Sequence, residues 1–148
     1  MRTMLVGLAA GMLLAMAAVA DEGKGDQDKL QGTWKAEKAE QDGKEQANAD
    51  EHTLTFAGDT FTITRKDQVI LKGTFTLVVT KKPRQIDLAV KESRGGKDDG
   101  KTAKGIYELN GDTLKWCTAG PGKDARPGEF ATAEGDERLL VTLRREKK

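Results

Sequence analysis

From His52 onward, apolar and polar positions alternate with a period of two: Leu54 and Phe56, Phe61 and Ile63, Phe75 and Leu77, then Ile86, Leu88 and Val90. Threonine or charge falls between most of them, and such alternation predicts strands with one buried and one wet face. The clearest stretch is Lys104 to Cys117, where Tyr107 and Leu109 precede Asn110-Gly111 and Leu114 and Trp116 follow it. Asn-Gly tolerates the positive φ of tight hairpin turns, so a hairpin folded at that pair is predicted. Similar pieces recur, with Lys72–Leu77 resembling Lys104–Leu109 and Gly58–Ile63 resembling Gly111–Trp116.

Taken in order, Trp34 and Ala36 share the face of a first strand, which Gln41-Asp42-Gly43-Lys44 ends. The stretch Glu45–Glu51 fits either one helical turn or a loop. Val69–Val79 reads as a long strand with Gly73 at a kink, and Pro83 lies in the following loop, where its missing donor does no harm. Ser93–Lys101 is glycine-rich, charged and without apolar residues, which predicts a mobile surface loop. A second excursion, Ala119–Glu137, holds one large apolar residue, Phe130. The last strand is Arg138–Arg145, with Leu139, Val141 and Leu143 on one face and Arg145 on the same parity. Short strands joined mostly by tight turns, with no long helix between them, predict an all-β fold. The expected architecture is an eight-stranded antiparallel up-and-down barrel, since closure removes exposed edges.

The first twenty residues change the picture. Arg2, the apolar run Leu5–Ala17 and Ala18-Val19-Ala20 form the three regions of a signal peptide, so cleavage before Asp21 is expected. The chain then divides into a signal peptide at 1–20, a polar flexible leader at 21–29 and one barrel domain at 30–148. Export to the periplasm or medium follows, with no stable membrane anchor after cleavage. Losing Arg2 brings the 25 basic residues level with the 24 acidic ones. A neutral, interspersed charge pattern offers nothing to nucleic acid. The single cysteine, Cys117, excludes an internal disulfide, so packing must stabilise the domain.

The opening Leu30-Gln31-Gly32-Thr33-Trp34-Lys35 resembles the Gly-x-Trp strand of lipocalins and fatty-acid-binding proteins. That resemblance implies that Trp34 closes one barrel end against an arginine of the last strand. Arg145 is the first choice for that partner and Arg144 the second, in a cation–π contact of roughly 0.5 to 2 kcal/mol. More broadly, Gly-Thr-Trp, Phe-Ala-Gly-Asp-Thr-Phe, Lys-Gly-Thr-Phe, Arg126-Pro127-Gly128-Glu129-Phe130 and the closing Leu-Leu-Val-Thr-Leu-Arg-Arg-Glu resemble the small exported lipocalin-like domain of planctomycete bacteria. The resemblance implies a barrel and export; it brings no activity and no cofactor with it. The chain departs from typical lipocalins in having no second cysteine and no long helix after the last strand.

Candidate chemistry is sparse. One histidine, His52, and one cysteine cannot make a zinc site; Asp98-Asp99-Gly100 lacks the alternating carboxylates of a calcium loop; and Ser93 is the only serine after residue 20. Asp59 and Asp112 occupy equivalent places in two turns and read as turn residues rather than a catalytic dyad. Lys81, Lys82 and Arg84 form a small basic loop. Catalytic, metal and cofactor sites are therefore not expected. What remains is the interior, where Phe56, Phe61, Phe75, Tyr107 and Trp116 are either core or the lining of a cavity. A small apolar or amphipathic ligand inside the barrel is the leading expectation. The alternative is a protein-interaction or envelope-structural module with a filled core.

Overall fold

The computed structural model describes residues 25–146, and the predicted signal peptide lies outside them. Nine strands are formed: β1 (Gly32–Gln41), β2 (Lys44–Glu45), β3 (His52–Ala57), β4 (Thr60–Arg65), β5 (Gln68–Val78), β6 (Arg84–Ser93), β7 (Thr102–Asn110), β8 (Thr113–Thr118) and β9 (Leu139–Arg145). Short 3-10 turns at Ala49–Glu51 and Arg94–Gly96 interrupt the connections. Each strand from β3 to β9 pairs antiparallel with its sequence neighbour, β1 pairs with β3, and β1 also pairs with β9. Strand β2 is a two-residue appendage folded back on β1. The wall is thus an eight-stranded antiparallel barrel, closed where the first long strand meets the last.

The alternation read from the sequence places the walls correctly, because most inward positions are apolar residues flanked by residues that tolerate water. The turns hold one correction. Asn110 pairs with Thr113 as the last rung of the hairpin, so the two loop residues are Gly111 and Asp112 rather than Asn110 and Gly111. Only Gly111 of the two takes positive φ, at +57°. The β3–β4 turn repeats this design with Gly58-Asp59, Gly58 at +62° and Ala57 pairing with Thr60. Glycine, not asparagine, supplies the left-handed residue in both, which accounts for the repeated Gly-Asp-Thr.

The polar stretch read as a leader also differs where it is described. Residues 25–30 are helical, Leu30 is fully buried and Asp26 is only 4% exposed. This turn lies across one barrel end because its polar groups meet donors and acceptors there. Gln31 Nε2 donates to the Gly58 carbonyl at 2.9 Å, and Gln31 Oε1 accepts from Gly58 N at 2.7 Å. The Ser93–Lys101 loop is likewise tied. Ser93 donates through N and Oγ to Asp99 Oδ1 at 2.7 and 2.9 Å, and its Oγ accepts from Asp98 N.

A second layer lies outside the wall. Ile106 and Cys117 are opposite each other on β7 and β8, facing away from the interior, yet both are buried. The connection between β8 and β9 covers them, burying Pro127 and bringing the Ala131 carbonyl 3.6 Å from the Cys117 Sγ that donates to it. Arg126 pins this cover. Its Nη1 donates to the Gly105 carbonyl at 2.8 Å, and its Nη2 lies 2.6 Å from Asp87 Oδ1.

Candidate functional site

The barrel interior divides into two halves of different character. In the half under the helical turn, Trp34, Phe56, Phe61 and Tyr107 are at most 2% exposed, and Phe75 packs edge-on to Phe56 with ring centroids 4.8 Å apart. These aromatics fill the space. Trp34 and Arg145 are paired residues of β1 and β9, and the guanidinium carbon sits 4.3 Å from the indole centroid. The indole Nε1 donates to the Leu30 carbonyl at 2.8 Å. Arg145 donates to the carbonyls of Gln31, at 2.8 Å, and Lys29, and its Nε lies 3.4 Å from Asp112. One arginine thereby joins the first strand, the last strand, the helical turn and the β7–β8 turn.

Beside it, a buried polar cluster completes the closed end. Asp26 Oδ2 accepts from the Tyr107 hydroxyl and from Arg84 Nη1, each at 2.6 Å. Burial, then the hydrogen bond and charge of Asp26, push the Tyr107 hydroxyl far above its ordinary range, so it remains a donor. Sequence reading missed Asp26, because nothing in the polar stretch 21–29 marks one carboxylate for burial. It placed Arg84 in a solvated basic loop, where the structure gives it a structural partner.

The opposite half is hollow. A cavity of about 320 Å³ opens there, lined by residues of β1, β3, β4, β8 and β9 and of the connection from β2 to β3. Its walls are Ala36, Ala39, Leu54, Ile63, Trp116, Leu139, Val141 and Leu143, while Gln41, Gln46, His52, Thr53 and Arg65 add polar groups. Space remains because β1 lines this half with the small side chains of Ala36 and Ala39. Of the five aromatics named from the sequence, only Trp116 borders the cavity; Phe56, Phe61, Phe75 and Tyr107 belong to the filled core.

His52 and Arg65 are directly opposed on β3 and β4. The His52 ring donates through Nδ1 to the Ala49 carbonyl at 3.3 Å, leaving Nε2 as the second ring nitrogen. Arg65 Nε donates to Glu51 at 2.9 Å, and Lys66 lies 3.5 Å from the same carboxylate. The Arg65 hydrogen bond, helped by the charge of Lys66, holds the Glu51 carboxyl below its usual range.

One atom in this half stands out. Trp116 is 4% exposed, and its Nε1 is buried with no hydrogen-bond partner. An orphaned buried donor of this kind costs about 1 to 3 kcal/mol relative to a satisfied one. The remaining candidates give no reactive site. Cys117 is buried and its thiol is pushed up by that burial. Among the described residues no group of three or more His, Cys, Asp or Glu side chains could hold a metal ion.

Compared with known proteins, residues 30–116 match the family model described as a lipocalin-like domain, which is more than half of the chain. Neither the curated proteins nor the solved structures give a match.

Proposed function

The chain belongs to the lipocalin-like domain family, and from that premise we propose that it is an exported, non-enzymatic protein that holds one small apolar or amphipathic molecule in the open half of its barrel. The observation that carries this reading is the cavity of about 320 Å³, walled by aliphatic side chains and Trp116 and rimmed by polar ones. Eight-stranded barrels are just wide enough to be filled or to hold one small ligand. This barrel does one in each half. The alternative of a solid interaction module accounts for the closed half and leaves the hollow one without a role.

The cavity sits near the lower end of the roughly 300–1,000 Å³ spanned by small-molecule sites, which points to a compact ligand rather than a long chain. Its apolar part is held by burial. A polar end finds Arg65, His52 and Gln41 at the rim.

The first test uses the apolar fluorophore N-phenyl-1-naphthylamine. The unaltered protein is expected to bind it with one-to-one stoichiometry and a blue-shifted emission. Ala39 lines the cavity, so Ala39→Phe should place a ring in the ligand's space and remove most of that signal with the far-ultraviolet circular dichroism unchanged. Absence of binding by the unaltered protein, or binding indifferent to the added ring, would defeat the reading.

Export is tested separately. N-terminal sequencing of the protein recovered outside the cytoplasm is expected to begin at Asp21. Recovery with residues 1–20 attached would remove the signal-peptide proposal and leave the binding proposal intact.

A further inference from the structure

Resting on the reading that the cavity holds a ligand, we propose that the ligand is an amphipathic anion, a compact apolar body ending in a carboxylate, and that Arg65 at the cavity mouth selects it. The apolar body fills the hollow half, and the charged end stays at the rim.

The β3–β4 ladder sets this polarity. Its pairing runs without a shift from His52–Arg65 to Ala57–Thr60, so every second rung faces the same way. Phe56–Phe61 is an inward rung in the filled core, and Leu54–Ile63 is the next, at the cavity wall. His52–Arg65 is the third on that parity, at the end of both strands. Aromatic, aliphatic and basic pairs therefore follow one another from the closed half to the mouth. His52 and Arg65 both line the cavity. The Arg65 side chain is 45% exposed, so a ligand at the mouth can reach it.

The charge on this lining has one sign. Among the described residues that border the cavity, Arg65 is charged and none is an aspartate or a glutamate. His52 carries no negative charge in either protonation state, so it does not oppose an anion. Glu51, which pairs with Arg65 from the adjoining turn, is shared: its Oε2 accepts from Arg65 Nε at 2.9 Å and its Oε1 lies 3.5 Å from Lys66 Nζ. Two cations and one carboxylate leave one formal positive charge there. The Glu51 contact uses Nε, and Arg65 Nη1 and Nη2 make no hydrogen bond among the described residues. Those two nitrogens can only donate, which suits a carboxylate and repels an ammonium.

The experiment compares 2-naphthylacetate with two ligands of similar shape, the neutral 2-naphthylacetamide and the cationic 2-(2-naphthyl)ethylamine. Affinities are measured at neutral pH by displacement of the fluorophore. The unaltered protein is expected to prefer the acid over the amide roughly three- to tenfold, between the effect of an exposed ion pair and that of a buried charged hydrogen bond. The amine should bind most weakly. Arg65→Gln should abolish the preference for the acid while fluorophore binding is retained, and Arg65→Lys should restore part of it. Because Arg65 also holds Glu51, a structural effect is separated by Glu51→Gln, which neutralises the carboxylate and keeps the guanidinium. In that variant the preference for the acid should persist or grow.

An unaltered protein that does not distinguish acid from amide, or a preference lost as fully in Glu51→Gln as in Arg65→Gln, would overturn the role of Arg65. These two measurements decide the matter even if Arg65→Gln does not fold. Fluorophore binding that persists in either case would leave the ligand-binding reading standing. Failure of the unaltered protein to take up the fluorophore or any of the naphthalenes would overturn that reading, and this inference with it.

Discussion

Trp34→Ala is expected to lower the unfolding free energy by about 3 to 5 kcal/mol, the range seen when a buried aromatic is cut back to a methyl group. Three losses combine at this position. The indole is fully buried, its Nε1 holds the Leu30 carbonyl, and its face carries the Arg145 guanidinium. Against a total stability of roughly 5 to 15 kcal/mol for such a domain, that loss should bring the denaturation midpoint down sharply. Trp34→Phe keeps an aromatic face for Arg145 and forfeits the donor, so a smaller loss of about 1 to 2 kcal/mol is expected. Urea titration of both variants checks the pair. A loss below about 1 kcal/mol for the alanine variant would mean that the closed end is held by something other than this residue. Because Trp34 does not border the cavity, whatever fraction of the variant remains folded should still bind the fluorophore.

Gly73→Ala is expected to be at least as damaging, for a steric rather than a cavity reason. A Cβ at Gly73 would lie 1.9 Å from the Ala89 carbonyl oxygen, 2.9 Å from its carbon and 3.0 Å from Lys91 N. All three are backbone atoms of β6, so no side chain can rotate out of the way. The close approach arises where the β5–β6 register shifts, Lys72 pairing with Glu92 and Gly73 with Val90. Accommodating a methyl group there means prising the two strands apart, and a loss of about 3 kcal/mol or more is expected, at the upper limit of overpacking effects. Gly128→Ala serves as the control, since nothing lies within 4 Å of its added carbon; it should stay within roughly 0.5 kcal/mol of the parent. Thermal unfolding followed by circular dichroism compares them. Equal midpoints for the two variants would show that β5 and β6 separate easily at this bulge.

Gly73 illustrates how far the sequence reaches. A glycine inside a strand pattern marks a kink or a close approach, and the position was legible on that ground. Which backbone comes close, and how tightly, was not, because the neighbour belongs to another strand. The same division runs through the site. The pairing of Trp34 with Arg145 was implied by the resemblance of the Gly-x-Trp strand to that of lipocalins, and the ladder between β1 and β9 bears it out. Asp26 could not be found, since its partners Arg84 and Tyr107 lie 58 and 81 residues away, and within its own segment it is one polar residue among many. Ile106 and Cys117 alternate away from the interior, and only the β8–β9 connection folding over them makes a second buried layer.

The five aromatics offered as core or lining separate along the barrel axis for a related reason. A period of two reports which face a side chain takes, and says nothing about what stands opposite at the same height. Four of the rings belong to the filled half, where Phe56 and Phe75 pack edge to face, while Trp116 borders open space together with Ala36, Leu54 and Val141.

By itself, then, the sequence determined the strands, their inward faces and the closure of the barrel, because alternation and turn chemistry act between near neighbours on the chain. The tertiary structure alone decided that one half is filled and the other hollow, and that Asp26 is paired while the Trp116 donor is not. Those outcomes depend on the summed volumes and the donors and acceptors that distant strands bring to one level, quantities no local pattern contains.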